Sequence, residues 1–598
     1  MGAISGWVAS SRNAPDESAL AAMLQTLAHR AGEDALSGFV DARANCRAVL
    51  GATQYDEASG IALALDGAIV NRGELRAELA KRGYALPLGS DAELLLKAYQ
   101  HWDKDVVKRL RGAFAFAVWD GRKERLFLAR DRFGEKPLYL REAAGTLYFA
   151  SEIKALLAAG GRADVDLGAV WDHLACRYVP GPRTLVSGIR KLAPASYAVW
   201  QFRKLHETKY WVPPDRNAFT GKAEDAGALD GFIERLTEAV KLQLPGGVFL
   251  SGGIDSAAIV AIAAQQGVPV STFSAGFEGD KASELPAAAR AAKHFGTEHH
   301  ELVITAQDLV DRLPRLIEAR DAPLSRPSDA ALHMLAAHAA GKVKVVLTGE
   351  GSDEVLGGYR RHAAERYAWA FRSLPTFLAL AAPLAHTYPR LRAASASFKL
   401  EDWRERAVRW NGVLSAGERA KLSVLGLNGS ALSNIQPDAR TSSLRRVLYF
   451  EQMSSLPDNV LERSDRMTMA ASLEARAPFL DHRLAEYVSA LPDAARVRGL
   501  ATKWILRRAL GRLAPARALS LRKGGWLPAG AWLKGELRER LADHLRGPQS
   551  LTRPYYEAKV LDRVLDEHDK GRRNHEELLW TLLNLEIWHR TYSASASR

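Results

Sequence analysis

The sequence predicts two unlike folding units in one chain: a strand-dominated α+β layer first, then an α/β unit built on a doubly wound parallel sheet. Three observations carry this. Before about residue 200, apolar residues fall in short alternating or continuous runs broken by turn signals such as Asp120-Gly121 and Gly145, the pattern of strands. After about residue 228, such runs alternate with helical periods, which places the strands parallel with helices on both faces. Two of the later runs end in glycine-rich turns that also carry acidic residues. At 598 residues the chain is also longer than one ordinary domain, for which roughly 100–200 residues suffice.

In chain order, strands are expected at IALALDGAIV (61–70), AFAFAVWD (113–120), RLFLARD (125–131) and TLYFASE (146–152), with helices over Glu74–Lys81 and Asp91–His101. Residues 212–227 hold Pro213, Pro214, Asn217 and Gly221 among charges and read as a linker, since proline and glycine punctuate regular structure. It would divide an N-terminal unit, residues 1–211, from a C-terminal unit, residues 228–598. The second unit opens with a helix over 228–243 and the short buried strand GGVFL (246–250). A helix over SAAIVAIAAQQ, the strand PVSTFSAGF (269–277), a helix near 284–295, a helix over 329–340 and the strand KVVLTG (344–349) follow. From about residue 360 the pattern is mostly helical.

Composition excludes several function classes. An apolar fraction of 47% and a charged fraction of 25% are those of a soluble globular chain. Cys46 and Cys176 are the two cysteines, too few for a disulfide framework or a four-cysteine zinc site; the chain reads as reduced and cytoplasmic. The formal charge of +13 comes from 82 basic and 69 acidic residues, scattered without a lysine–arginine tract, so no nucleic-acid partner is expected. The most apolar stretch, residues 376–385, is broken by Pro383 and falls far short of the roughly 20 residues that span a bilayer. No membrane association is expected.

The most informative run is Leu250-Ser251-Gly252-Gly253-Ile254-Asp255-Ser256, which leaves a buried strand and opens a helix. Adjacent glycines let backbone N–H groups turn inward, and the helix N-terminus adds partial positive charge, so the turn is an anion cradle. An aspartate there would repel phosphates unless it holds a divalent cation, so the turn implies Mg²⁺ as well as phosphate. A second turn, in KVVLTGEGSDEVLGGY (344–359), supplies Glu350, Asp353 and Glu354 at the end of another strand. Turns at the carboxyl ends of strands in such a sheet converge on one crevice, which would bring Asp353 to Asp255.

With these runs in view, the chain resembles the glutamine-dependent asparagine synthetase family almost end to end. SDAELLLKAY (90–99), LRGAFAFAVWD (110–120), FLARDRFGEKPLY (127–139) and FASEIKAL (149–156) resemble its amidotransferase half. LSGGIDS, GTEHHEL (296–302), LTGEGSDEVLGGY, DRMTMAASLEARAPFLDHRL (465–484), TKWILRRAL (502–510) and RKGGW (522–526) resemble its synthetase half. The resemblance implies an N-terminal Ntn-type, glutaminase-like sandwich and a C-terminal ATP-pyrophosphatase fold with large helical additions. It implies adenylation of a carboxylate, with ATP and Mg²⁺ as cofactors and AMP and pyrophosphate released. Carried over by motif, Leu250, Ser251, Gly252, Gly253, Asp255, Ser256, Ala275, Thr348 and Gly349 would bind ATP. Asp255 and Asp353 would hold Mg²⁺. Glu350 would act near the adenylate as base or orienter, which suits an ammonium that must lose a proton before attack. Lys503 would stabilise charge on the phosphate and the oxyanion, a task for a fixed cation.

The sequence departs from the family at its start. The family begins Met-Cys-Gly-Ile, with the cysteine as glutaminase nucleophile; here Gly2 follows Met1. The family's Asn-Gly-Glu turn reads Asp66-Gly67-Ala68 and its HRGPD loop reads His29-Arg30-Ala31-Gly32-Glu33, although Asp91 remains. These changes imply that the amine does not come from glutamine hydrolysed by this chain. The N-terminal run and the altered pocket are similar to those of the cysteine-less lasso-peptide macrolactam synthetases, or lasso cyclases, which implies a precursor-peptide substrate and a partner protease. Asparagine synthesis from free ammonia and a non-catalytic binding subunit are the alternatives.

Overall fold

The computed structural model describes the chain apart from residues 1, 11–14, 32–36, 43–45, 53, 85–88, 215–220, 281–282, 369–396, 399, 401, 428–429, 431, 433–434, 437–440, 515–528, 536 and 596–598. Its first part is two stacked antiparallel sheets. One is formed by β1 (Ser5–Ser10), β2 (Ser37–Ala42), β3 (Cys46–Ala52), β8 (Tyr139–Ala143), β9 (Thr146–Ala150) and β10 (Ile189–Lys191) in the order β10-β8-β9-β1-β3-β2. The other is formed by β4 (Gln54–Asp56), β5 (Ile61–Gly67), β6 (Phe114–Asp120), β7 (Arg125–Arg130), β11 (Ser196–Gln201) and β12 (Lys204–Lys209) in the order β12-β11-β7-β6-β5-β4.

Alternate residues of each strand point to opposite faces, and that alternation builds the layers. Val8, Ala64, Ala117, Leu128 and Phe149 meet between the sheets. Trp7 and Tyr148 face outward onto helices Ser18–Thr26 and Ile153–Ala158. On the other outer side, Leu63, Phe116 and Phe127 pack on helices Arg72–Ala80 and Asp91–Trp102. The result is a helix–sheet–sheet–helix sandwich. The four strands expected from the sequence here are β5, β6, β7 and β9. The others were not legible: β1 reads SGWVAS, with serine or glycine at half of its positions, and β10 has three residues.

The second part is a five-stranded parallel sheet of β13 (Gly247–Phe249), β14 (Ser271–Phe277), β15 (Glu298–Ile304), β16 (Val345–Leu347) and β17 (Glu474–Arg476), ordered β15-β14-β13-β16-β17. Helices α1 (Ala226–Gln243), α2 (Ile254–Ala264) and α8 (Trp504–Leu513) cover one face through Phe232, Val260 and Leu506. Helix α5 (Ser328–Ala340) covers the other through Leu335 and Ala339, against Phe273 and Val346. After residue 360 the described chain is mostly helical, as expected, and β17 is a short strand within it. Glu-Ala-Arg is too short to carry a strand pattern and is placed by pairing with β16. α3 (Leu285–Phe295) is the helix expected near 284–295, β15 begins within the GTEHHEL run and extends two residues past it, and α4 (Ala306–Arg320) was not expected.

From β13 the chain winds outward to β14 and β15, then returns to place β16 on the other side of β13. The strand order therefore reverses between β13 and β16. Crevices at such reversals, outside the carboxyl ends of the strands, are where doubly wound sheets bind ligands. One apolar cluster joins the two parts: Trp7 and Tyr139 of the sandwich share it with Leu313, Met467, Trp580 and Trp588. The stretch 376–385 and RKGGW lie outside the described residues, and among those described no helix is long and apolar enough to cross a membrane.

Candidate active site

Both glycine-rich turns sit at that reversal. Leu250 is buried and its N–H donates to the Phe273 carbonyl at 2.9 Å, which carries β13 pairing one residue past the strand. The Ser274 hydroxyl donates to the Leu250 carbonyl. The turn then closes on itself: the Ser251 N–H donates to Ser256 Oγ at 3.1 Å, and the Gly253 N–H donates to Ser251 Oγ at 3.2 Å. The Gly252 N–H donates to Glu284 Oε2 at 3.2 Å. A carboxylate oxygen of the chain itself therefore accepts from the backbone of this turn.

The second turn follows β16. Thr348 stays in register, its N–H donating to the Arg476 carbonyl at 2.8 Å. Gly351 has a φ of 78° and bends the chain into the short helix α6 (Ser352–Leu356); only glycine adopts that φ without steric cost. A Cβ on Gly349 would stand 2.9 Å from that of Asp255, so the two turns touch through a residue without a side chain. Ser352 Oγ donates to Asp255 Oδ1 at 2.8 Å.

Lys503 completes the cluster from a distant segment. Its Nζ lies 2.7 Å from both oxygens of Asp255 and 2.7 Å from Asp353 Oδ1. Burial works against its charge, but the two carboxylates outweigh burial and hold its pKa above the usual lysine value. Lys503 has a φ of 51°, in the left-handed region, directly before α8. Such a residue is strained unless its surroundings hold it there, and two ion pairs do. Above the cluster, a Cβ on Gly358 would collide with both Asp353 and Lys503. Next to Asp353, the Glu354 carboxyl is pushed up to about 8 by burial and by the charges of Asp353 and Glu451, and it accepts from the Tyr359 hydroxyl at 2.8 Å.

Glu350 stands apart from this cluster. Arg463 donates to it at 2.5 Å and also lies 3.6 Å from Asp329. It lines a narrow cleft of about 20 Å³ with Thr348, Lys136, Ser464 and Asp465. Ala275 lies in β14, half-buried against the core around Phe273. The structure thus brings Asp255, Asp353 and Lys503 into contact and places Glu350 on an adjoining wall. Ser352, Glu284, Gly358 and Arg463 were missed from sequence. The first and third lie inside the quoted GEGSDEVLGGY run and were within reach; the other two are joined to the site by tertiary contact alone.

Two carboxylates meeting on one ammonium fit a divalent cation, because the lysine already shows that both reach a single positive centre. Among the described residues no group of three or more His, Cys, Asp or Glu side chains could hold a metal. A cation here would draw its remaining ligands from phosphate oxygens and water, the usual habit of Mg²⁺.

The corresponding pocket of the N-terminal sandwich is filled. Gly2 is buried, and a Cβ on it would collide with the Leu65 carbonyl oxygen. Asp66 accepts from Arg30 and from the Ser151 hydroxyl, both at 2.9 Å. Asp91 accepts from the Ile69 N–H and from Arg72 at 3.0 Å each. Cys46 and Cys176 are buried, and burial pushes the Cys176 thiol up to about 12. Gly32 and Glu33 lie outside the described residues.

Comparison with known proteins fits this geometry. Residues 231–590 match the Asparagine synthase family and residues 1–211 match the Glutamine amidotransferase domain. A putative asparagine synthetase (glutamine-hydrolyzing) of Mycobacterium tuberculosis is 33% identical over 88% of this chain and 84% of its own length. Asparagine synthetase (glutamine-hydrolyzing) 1 of Bacillus subtilis is 30% identical over 88% of this chain and 84% of its own. Amidase chyE of Penicillium rubens is 27% identical over 81% of this chain and 80% of its own. With both of its halves matched, and one of these relatives a third identical over most of its length, the chain belongs to the asparagine synthetase family of ATP-dependent carbon–nitrogen ligases.

Proposed function

We propose that this ligase activates a carboxylate as its adenylate and joins it to an amine that is not released from glutamine by this chain, closing a macrolactam within a lasso precursor peptide. The carrying observation is the contrast between its two pockets. Asp255, Asp353 and Lys503 converge within 2.7 Å, while the position of Gly2 is closed by the Leu65 carbonyl and its surroundings are filled by Arg30 and Asp66.

In this reading the 250–256 and 348–349 turns bind ATP, with Ala275 against the nucleotide, and Asp255 and Asp353 hold Mg²⁺, which when bound neutralises phosphate charge. A substrate carboxylate oxygen attacks the α-phosphorus and pyrophosphate leaves. The amine then attacks the acyl carbon and AMP leaves. Glu350 accepts the proton the amine must shed, and Lys503 faces the charge that builds on phosphate and oxyanion. Holding amine and adenylate on one molecule raises their effective concentration by orders of magnitude. A cytoplasmic enzyme with a partner protease that trims the precursor fits this role. We also propose the division into residues 1–211 and 228–598 with a linker between.

A second reading, asparagine synthesis from free ammonia, is supported by the names of the relatives. The test is incubation of the purified protein with ATP, Mg²⁺ and either a lasso precursor peptide encoded near its gene or aspartate with ammonium chloride. AMP and pyrophosphate release with a peptide lighter by one water is the expected result. Asparagine from aspartate, with an unchanged peptide, would overturn macrolactam closure in favour of the second reading.

A further inference from the structure

We propose that Arg30 is a positioning residue for the synthetase site: by gripping Asp465 it fixes helix α7 (Glu462–Met469), which carries Arg463, and through Arg463 it aims Glu350. This rests on the ligase reading of the crevice given above. It assigns the sandwich, without a nucleophile, a continuing part in amide formation.

The argument begins at the filled pocket. Arg30 is fully buried. It donates to both oxygens of Asp465, at 2.8 and 3.1 Å, to Asp66 at 2.9 Å and to Glu152 at 3.0 Å. Asp66 and Glu152 belong to the sandwich; Asp465 belongs to α7, beside the parallel sheet. Lys136, also from the sandwich, donates to Asp465 at 3.0 Å. Next along α7, Arg466 pairs with Glu152 at 2.7 Å and with Asp321 at 3.2 Å. Burial opposes each charge here, yet the partners prevail: Asp465 is held below the usual carboxylate range by Arg30 and Lys136, and Arg30 is held above its own usual value. A two-pronged guanidinium–carboxylate contact fixes orientation as well as distance.

Arg463 and Asp465 are two residues apart, which at 3.6 residues per turn puts them about 200° apart around the helix axis. Asp465 and Arg463 therefore leave α7 in opposite directions, the first toward Arg30 and Lys136 of the sandwich, the second toward Glu350 and Asp329. The turn that feeds α7, Leu456–Leu461, has π-helical hydrogen bonding, a rare winding found frequently at functional sites. Lys136, Asp465 and Glu350 line one narrow cleft, so the ion cluster and the carboxylate border the same space.

The test compares Arg30→Lys, Asp465→Asn and Arg111→Lys in the full-length protein. Arg111 is the control. It crosses between the same two parts, to Asp481 at 2.9 Å and Glu238 at 2.9 Å, without touching α7. Hydrogen exchange followed by mass spectrometry should show faster exchange in residues 462–469 and in the 348–354 turn for Arg30→Lys and Asp465→Asn, and no change there for Arg111→Lys. In the two acceptor assays above, the first two variants should lower kcat for amide about tenfold with KM for ATP within about twofold. Unchanged exchange in the 348–354 turn, or the same pattern in Arg111→Lys, would overturn the assignment. A wild-type protein that consumes ATP with neither acceptor would overturn the adenylation reading instead, and the exchange comparison would still decide the positioning.

Discussion

Lys503 is where the chemistry of single residues is most exposed to test. Its ammonium bridges the two aspartates proposed to hold Mg²⁺, so cation and lysine compete for the same oxygens. Lys503→Met leaves both carboxylates without that partner. We expect this variant to bind Mn²⁺ in the absence of nucleotide more tightly than the wild type, by at least about tenfold, read by electron paramagnetic resonance of the free ion. It should also lose turnover, and equal Mn²⁺ affinity in the two proteins would refute the competition. Asp255→Ala should abolish pyrophosphate release, since the same carboxylate is proposed to serve the cation and is held by Ser352 and Lys503. Its measurement is pyrophosphate production against time.

Gly2 supplies a second residue test. If cysteine loss alone had silenced the glutaminase site, Gly2→Cys would restore it. The Cβ position is closed by the Leu65 carbonyl, and the neighbouring Asp66 is already paired with Arg30. The variant should release no glutamate from glutamine, and its melting temperature should fall, because overpacking a close contact costs about 1–3 kcal/mol. Glutamate release above background would show that the pocket can reopen.

At the scale of elements, the two turns of the crevice were legible because each motif is contiguous: strand, glycines, acidic residue and helix start follow one another in sequence. Their convergence followed from the reversal rule for parallel sheets, and Ser352 to Asp255 at 2.8 Å realises it. Contacts that needed the third dimension were not legible. Arg463 meets Glu350 across 113 residues and Arg30 meets Asp465 across 435, with no periodicity linking either pair. Strands failed to show where the residues form no apolar run, as in β1 (SGWVAS) and β17 (EAR). The glycine at 358 lies inside the second motif, and its need for no side chain is set by Asp353 and Lys503 beside it. Gly358→Ala should therefore cost most of the turnover while the far-UV circular dichroism spectrum stays that of the wild type.

The whole molecule is held by an apolar cluster and by a buried lattice of charge between its two parts, and these respond differently to acid. Asp465 and Glu152 are both held below the usual carboxylate range despite burial, Asp465 by Arg30 and Lys136, Glu152 by Lys154 and Arg466. A carboxylate depressed in the folded state stabilises it fully above its unfolded pKa, and that contribution is lost as pH falls toward the folded value. With unfolded values near 4, about 3.9 for Asp and 4.3 for Glu, the clamp should hold unchanged from pH 7 to about 5 and weaken below about 4. The apolar cluster does not titrate in that window. Asp465→Asn removes one of the two titrating partners and leaves Arg30 short of a charge, so it should lower the melting temperature at pH 7 and flatten its decline between pH 5 and 3. Differential scanning calorimetry of the two proteins across that range measures both effects. Parallel curves, displaced but equally steep, would mean that Asp465 carries no share of the acid response.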